Sequence, residues 1–311
     1  MDVDPEAFKL YALGQSAMRD HTGQKLEDIT RYFEAAIELD PEYVDPYIGM
    51  AEAYIFEVNR GYLSSTEAAQ KARPYVLEAE KLDPGNGKVS GLLGIIHFLE
   101  FDFKNAIPYF QKALEKNPNY SLTYHWYSFI MEYKRNFKKA EELQKKAGVL
   151  DPLNAFNDFY LILDYIFQKK FTQAEKLIKT KLALDPDHKE TLWVQAVLLV
   201  EQGRYQEALE VMQKRKMGLE TNFISGYVYA KTGQEEKARG VLEKMQESTY
   251  VPPSQLAILY CGLGQNDQAL TEIEEAFLTH DGWFKWVVLS SMTDPVKEDP
   301  RYTSIISRLG I

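Results

Sequence analysis

Pro84, Pro118, Pro152 and Pro186 stand 34 residues apart, and Ala106, Ala140, Ala174 and Ala208 keep the same interval. A fixed period between about 20 and 50 residues marks an array of identical supersecondary units, and this length suits two helices with their turns. Such a unit cannot bury its apolar face alone, so it persists only when stacked on neighbours. Each proline follows Asp or Asn, at Asp83, Asn117, Asp151 and Asp185. Proline lacks a backbone donor and biases its predecessor away from the helical region, so each pair stops one hairpin and can open the next.

The unit from Gly87 to Tyr120 places Gly94, Ala106, Phe110, Ala113 and Pro118 at its positions 8, 20, 24, 27 and 32. Small residues where two helices cross, with large apolar residues interlocking between them, allow close antiparallel packing. This pattern resembles the tetratricopeptide repeat family. The resemblance implies an all-α, right-handed superhelical solenoid of about eight helix-turn-helix hairpins with a C-terminal capping helix. The repeats are read at roughly 5–41, 42–84, 85–118, 119–152, 153–186, 187–219, 220–250 and 251–282, with the cap at 283–311, in one domain spanning 1–311. Unit one carries extra residues in the turn cluster Asp20-His21-Thr22-Gly23, and unit two about nine around Asn59 to Ser65. Unit five departs from the pattern with Ile162 and Lys181 where small residues are usual, which implies looser packing there. Unit six has Glu220 where Pro would stand. In the cap, Asp299-Pro300-Arg301-Tyr302 followed by Ile305, Ile306 and Leu309 reads as a short amphipathic helix covering the last apolar face.

Longer phrases narrow the resemblance: Thr123-Tyr124-His125-Trp126-Tyr127, Val251-Pro252-Pro253 with Tyr260 to Gly264, Asp281-Gly282-Trp283, and Arg308-Leu309-Gly310. Together they resemble the C-terminal repeat modules of bacterial winged-helix regulators, adenylate cyclases and serine/threonine kinases. That similarity implies a module that binds or positions something. It also carries an alternative: a regulatory segment of a larger signalling enzyme or transcriptional regulator, sensing a small apolar ligand, whose output domain is absent from these residues.

Chemistry narrows the field further. A formal net charge of −10 opposes a phosphate backbone, and no basic stripe with interleaved aromatics occurs, so nucleic acid is not an expected partner. The single Cys261 rules out a disulfide framework within the chain. His21, His97, His125, His188 and His280 show no metal-ligand spacing, and no G-x-S-x-G, P-loop or dinucleotide fingerprint is present. A non-catalytic scaffold without cofactor or metal is therefore expected. The acidic start and the lack of an apolar run long enough for a membrane helix suit a cytoplasmic chain without membrane insertion, or a periplasmic one if it follows a membrane anchor. A beginning almost inside a repeat also suits a piece of a longer protein.

In the family, positions 2, 5, 9, 12 and 13 of the first helices line a concave surface. Carried over, they give Leu122, His125, Phe129, Glu132 and Tyr133 in unit four, Phe156, Phe159, Leu163, Ile166 and Phe167 in unit five, and Glu190, Trp193, Val197, Val200 and Glu201 in unit six. Two arrangements fit such an apolar, aromatic surface: an open groove for a protein or peptide partner, or internal packing in which these residues bury one another or the C-terminal segment folds back over them. The groove reading names His125, Phe129, Tyr133, Phe156, Phe159, Leu163, Phe167, Trp193 and Val197 as partner-binding residues. The Lys and Asn clamp with which family members hold a C-terminal carboxylate is absent: positions 5 and 9 read Gly91 and Ile95, His125 and Phe129, Phe159 and Leu163.

Overall fold

The computed structural model describes residues 3–19, 25–59, 63–152, 154–214, 222–248 and 250–310. The turn cluster at 20–23, residues 60–62 and Glu220 lie outside them. The described residues form eighteen α-helices and one 3-10 helix, and no strand occurs among them. Sixteen helices follow one another as eight hairpins: α1 (Pro5–Arg19) with α2 (Leu26–Leu39), α3 (Val44–Asn59) with α4 (Ser65–Leu82), α5 (Gly87–Leu99) with α6 (Phe103–Lys116), α7 (Ser121–Tyr133) with α8 (Phe137–Leu150), α9 (Ala155–Phe167) with α10 (Phe171–Leu184), α11 (Lys189–Glu201) with α12 (Tyr205–Lys214), α13 (Phe223–Lys231) with α14 (Glu235–Gln246), and α15 (Pro253–Gly262) with α16 (Asn266–Leu278). After them come α17 (Phe284–Leu289), the 3-10 helix Ser291–Val296 and α18 (Pro300–Ser307). The chain divides into two compact units, residues 1–127 and 128–311, with the boundary inside α7.

The punctuation works through the backbone. Asp40, Asp83, Asn117, Asp151 and Asp185 end their helices at φ between −140° and −135° and ψ between 73° and 95°, outside the helical region that a following proline disfavours. The prolines stop each hairpin without opening the next, since the following helices begin three residues later. Side chains start several helices instead: Ser64 and Glu67 form a reciprocal capping box on α4, and Asn86, Asp102 and Asn136 accept backbone N–H bonds at the starts of α5, α6 and α8. Inside the hairpins a second 34-residue series appears. Phe101, Arg135, Lys169 and Gly203 all take positive φ, from 56° to 74°. The residue after each donates its N–H to the carbonyl five positions back, at 2.8–2.9 Å, which closes the first helix and turns the chain into the second.

The first unit packs by small residues against rings. Phe33 is fully buried among Ala17, Ile29, Met50 and Ala53. Phe110 lies so close to Gly94 that a Cβ there would come within 2.7 Å of the ring. In the second unit the equivalent crossing of α7 and α8 is polar: Ser128 donates to Gln144 Oε1 at 3.1 Å, and Gln144 Nε2 donates to the Asn157 carbonyl at 3.2 Å, so three successive helices are tied through one buried amide. In hairpin five Ile162 is buried, and Lys181 pairs with Asp158 on α9. Both departures from the repeat are thereby accommodated. At the chain's end α18 lies on α16, with Arg301 on Asp267 at 2.8 Å and Arg308 above the Phe277 ring at 4.4 Å. No helix among the described residues is long and apolar enough to cross a membrane.

Two substitutions test this packing by urea unfolding. Lys169→Gly relieves a left-handed residue and should stabilise by about 1 kcal/mol. Gly94→Val forces methyl groups into Phe110 and should destabilise by about 2 kcal/mol. The reverse order of stabilities would contradict the assignment.

Candidate functional site

Within the second unit, the first helices α7, α9 and α11 bring the aromatic positions together. Phe159 stacks on Trp193 with ring centroids 5.8 Å apart, and Phe129 meets Tyr160 edge-on at 5.1 Å. Phe129, Tyr133, Leu163, Phe167 and Val197 are buried, while Phe159 and Trp193 are partly exposed. His125 falls in the first unit, buried against Trp126 at 6.0 Å. The side chain of Phe156 lies outside the described residues.

What buries these residues is the chain itself. All six residues of α17 are buried, so this helix is enclosed on every side. Trp286 meets Phe167 edge-on at 5.1 Å, Trp193 at 5.4 Å and Phe223 at 6.0 Å, and Trp283 meets Trp193 at 6.2 Å and Phe223 at 5.8 Å. On the opposite side Phe284 lies against Phe277 of α16 at 6.1 Å. Of the two arrangements that the sequence allows, the structure shows the second, with the C-terminal segment folded back over the first helices. The stretch from 283 onward thus divides its work: α18 lies on the last hairpin, and α17 fills the groove.

Polar groups fix the register. The N-terminal end is held by Asp281, whose carboxylate accepts the Ser254 and Trp283 N–H groups, each at 2.8 Å. At the other end, orphan carbonyls find side-chain donors: Arg135 Nη2 on Val288 O at 3.0 Å, Thr293 Oγ1 on Val287 O at 2.8 Å, and Lys297 Nζ on Ser290 O at 2.7 Å. Glu201 of α11 accepts the Ser291 N–H and both the Ser290 and Ser291 hydroxyls. Midway, Lys285 Nζ lies 2.7 Å from a Glu132 carboxylate oxygen and 3.9 Å from the centre of the Phe129 ring. The Tyr160 ring centre is 5.5 Å away. Side-chain exposure is 8% for Lys285 and 1% for Glu132. Burial lowers the Lys285 ammonium and raises the Glu132 carboxyl from their ordinary values, and each partner's charge opposes that drift. The short separation makes this a buried ion pair. Burial, together with Glu132, also holds the Tyr160 phenol neutral well above its usual range.

Tyr160, Arg135, Phe223 and the whole 281–291 segment are contributors that the repeat positions did not name. No group of three His, Cys, Asp or Glu side chains fit to hold a metal occurs among the described residues.

Tetratricopeptide-repeat models match residues 88–120 and 161–216. The transcriptional regulator HilA of Salmonella typhimurium is 22% identical over 150 residues, 48% of this chain and 27% of HilA, so the chain spans about a quarter of that relative's length. Among solved structures, human IFIT1, captured as a dimer with m7Gppp-AAAA, has a TM-score of 0.62 at 17% identity, covering 98% of this chain and 72% of IFIT1. A tetratricopeptide repeat protein from Parabacteroides merdae has a TM-score of 0.54 at 16% identity, covering 81% and 97%. At such identities the likeness establishes the fold alone. Repeats of this kind build protein–protein interaction scaffolds.

Breaking the buried pair should be costly. Lys285→Met leaves Glu132 uncompensated and should destabilise by about 3–5 kcal/mol, whereas Glu132→Leu combined with Lys285→Met should recover most of that loss. A double variant less stable than the single one, by urea unfolding, would contradict the pairing.

Proposed function

We propose that this chain, a tetratricopeptide-repeat protein, is a non-catalytic scaffold that recognises a polypeptide in the aromatic groove of α7, α9 and α11. The observation that carries this reading is the occupant: the groove already holds a polypeptide, residues 281–291, by aromatic anchors and backbone-directed polar contacts. Trp193 and Phe159 are the anchors with most remaining exposure, and Phe129, Phe167 and Tyr133 form the walls. Large rigid aromatics bury much area at low side-chain entropy cost, which is what a polypeptide-binding hot spot requires. A partner must compete with a tethered segment whose effective concentration is on the order of millimolar, so the resting groove is selective for strong ligands.

The match to HilA favours a second reading, in which these residues are the regulatory part of a longer transcriptional regulator and the groove reports partner binding to an output domain. A reading frame continuous with a DNA-binding domain supports it, and a frame that encodes the repeats alone contradicts it.

The groove is tested with the full chain carrying Trp286→Ala, which weakens the internal occupant. A labelled synthetic peptide of residues 281–297 should bind this variant by fluorescence anisotropy, and adding Trp193→Ala or Phe159→Ala should weaken binding by about 2 kcal/mol. A folded Trp286→Ala chain that binds no peptide, or binds it equally after both further substitutions, would contradict the site.

A further inference from the structure

We infer that Glu132, Phe129 and Tyr160 form a receptor for a primary alkylammonium group, occupied internally by Lys285 and taken by a lysine of the partner polypeptide when residues 281–297 leave the groove. This rests on reading the groove as a polypeptide site, and it names the chemistry that site selects.

Lysines are almost never fully buried unless paired, and Lys285 is the second residue of an otherwise apolar helix, Phe284 to Leu289, with Phe284 and Trp286 on either side. If that helix served only to fill a cavity, apolar residues of similar volume would serve as well or better, because a buried ion pair rarely repays its desolvation. What the pair does supply is discrimination: an uncharged residue at this point leaves the Glu132 carboxylate buried and unpaired, so a ligand without a cation is rejected. The rest of the pocket has the form of a cation cage. The ammonium stands 3.9 Å from the Phe129 ring centre and 5.5 Å from that of Tyr160, with the carboxylate at 2.7 Å.

The internal occupant is also suited to being displaced. A helix of six residues is far below the length that persists in water, so α17 exists only while the groove encloses it. Both charges are removed from water, and their mutual attraction offsets that desolvation only in part. A partner that presents a lysine between aromatic residues and aligns that lysine better has free energy to gain over the tethered segment.

The test titrates the 311-residue chain carrying Trp286→Ala with two labelled peptides, residues 281–297 and the same peptide carrying Lys285→Met. The unaltered peptide should bind about tenfold or more tightly than its Met version, and Glu132→Gln in the protein should erase the difference. Equal binding of both peptides would overturn the ammonium receptor while leaving the groove intact; binding of neither by the folded chain would overturn the groove itself. Dimerisation of Trp286→Ala by exchange of the segment between two copies, read by light scattering, would overturn the assignment to a separate partner. Should Trp286→Ala not fold, the same chain carrying Lys285→Ala instead is melted in the presence of n-propylammonium chloride. The expected result is a raised melting temperature that n-propanol and sodium chloride do not reproduce and that Glu132→Gln abolishes, and no such rise would overturn the proposal.

Discussion

A hairpin of two helices has an apolar face it cannot cover by itself, and the arrangement of the second unit follows from how that face is covered. Neighbouring hairpins bury most of it, as the fully enclosed Ile162, Ile166 and Val197 show. The inner aromatic positions of α7, α9 and α11 meet one another across adjacent hairpins, and α17 covers what those contacts leave open. Because this helix is enclosed on all sides, its side chains must satisfy two surfaces at once. Phe284 serves the last hairpin, and Trp286 serves the groove.

Energetically the two ends of the segment differ from its middle. The ends use hydrogen bonds to backbone groups, Asp281 with Ser254 and Trp283 at one end, Arg135 and Glu201 at the other, which fix where the segment starts and stops. The middle combines tryptophan burial, the largest apolar contribution available to a side chain, with a charge pair whose net contribution is small. Affinity thus comes from the rings and register from the charges. That division is familiar at interfaces, where aromatic anchors carry the energy and buried polar groups carry the selectivity.

Much of the fold could be read directly from the sequence, because proline and alanine at a 34-residue interval report backbone requirements that do not depend on partners. The series Phe101, Arg135, Lys169 and Gly203 kept the same interval, yet three of these are not glycine, so their left-handed backbone gave no compositional signal. In the site, the family positions named Phe129, Phe159, Phe167 and Trp193, and the structure brings the last three into one aromatic cluster with Trp286. Tyr160 was missed because its position in the repeat is not one of the five that usually line the groove. The segment Trp283 to Leu289 was read as part of a cap because it breaks the period. Its signal was an apolar run interrupted by one lysine, a pattern that shows its meaning only when Glu132, more than 150 residues earlier in the chain, is found beside it.

In the resting protein, residues 284–291 are held inside the groove. Hydrogen exchange by mass spectrometry on the full chain measures this directly. The account predicts that amides of 284–291 exchange as slowly as those of α9 and α11, and that Trp286→Ala raises exchange in this segment while the first unit keeps its protection. Exchange of 284–291 at the rate of an exposed chain terminus in the wild-type protein would contradict it.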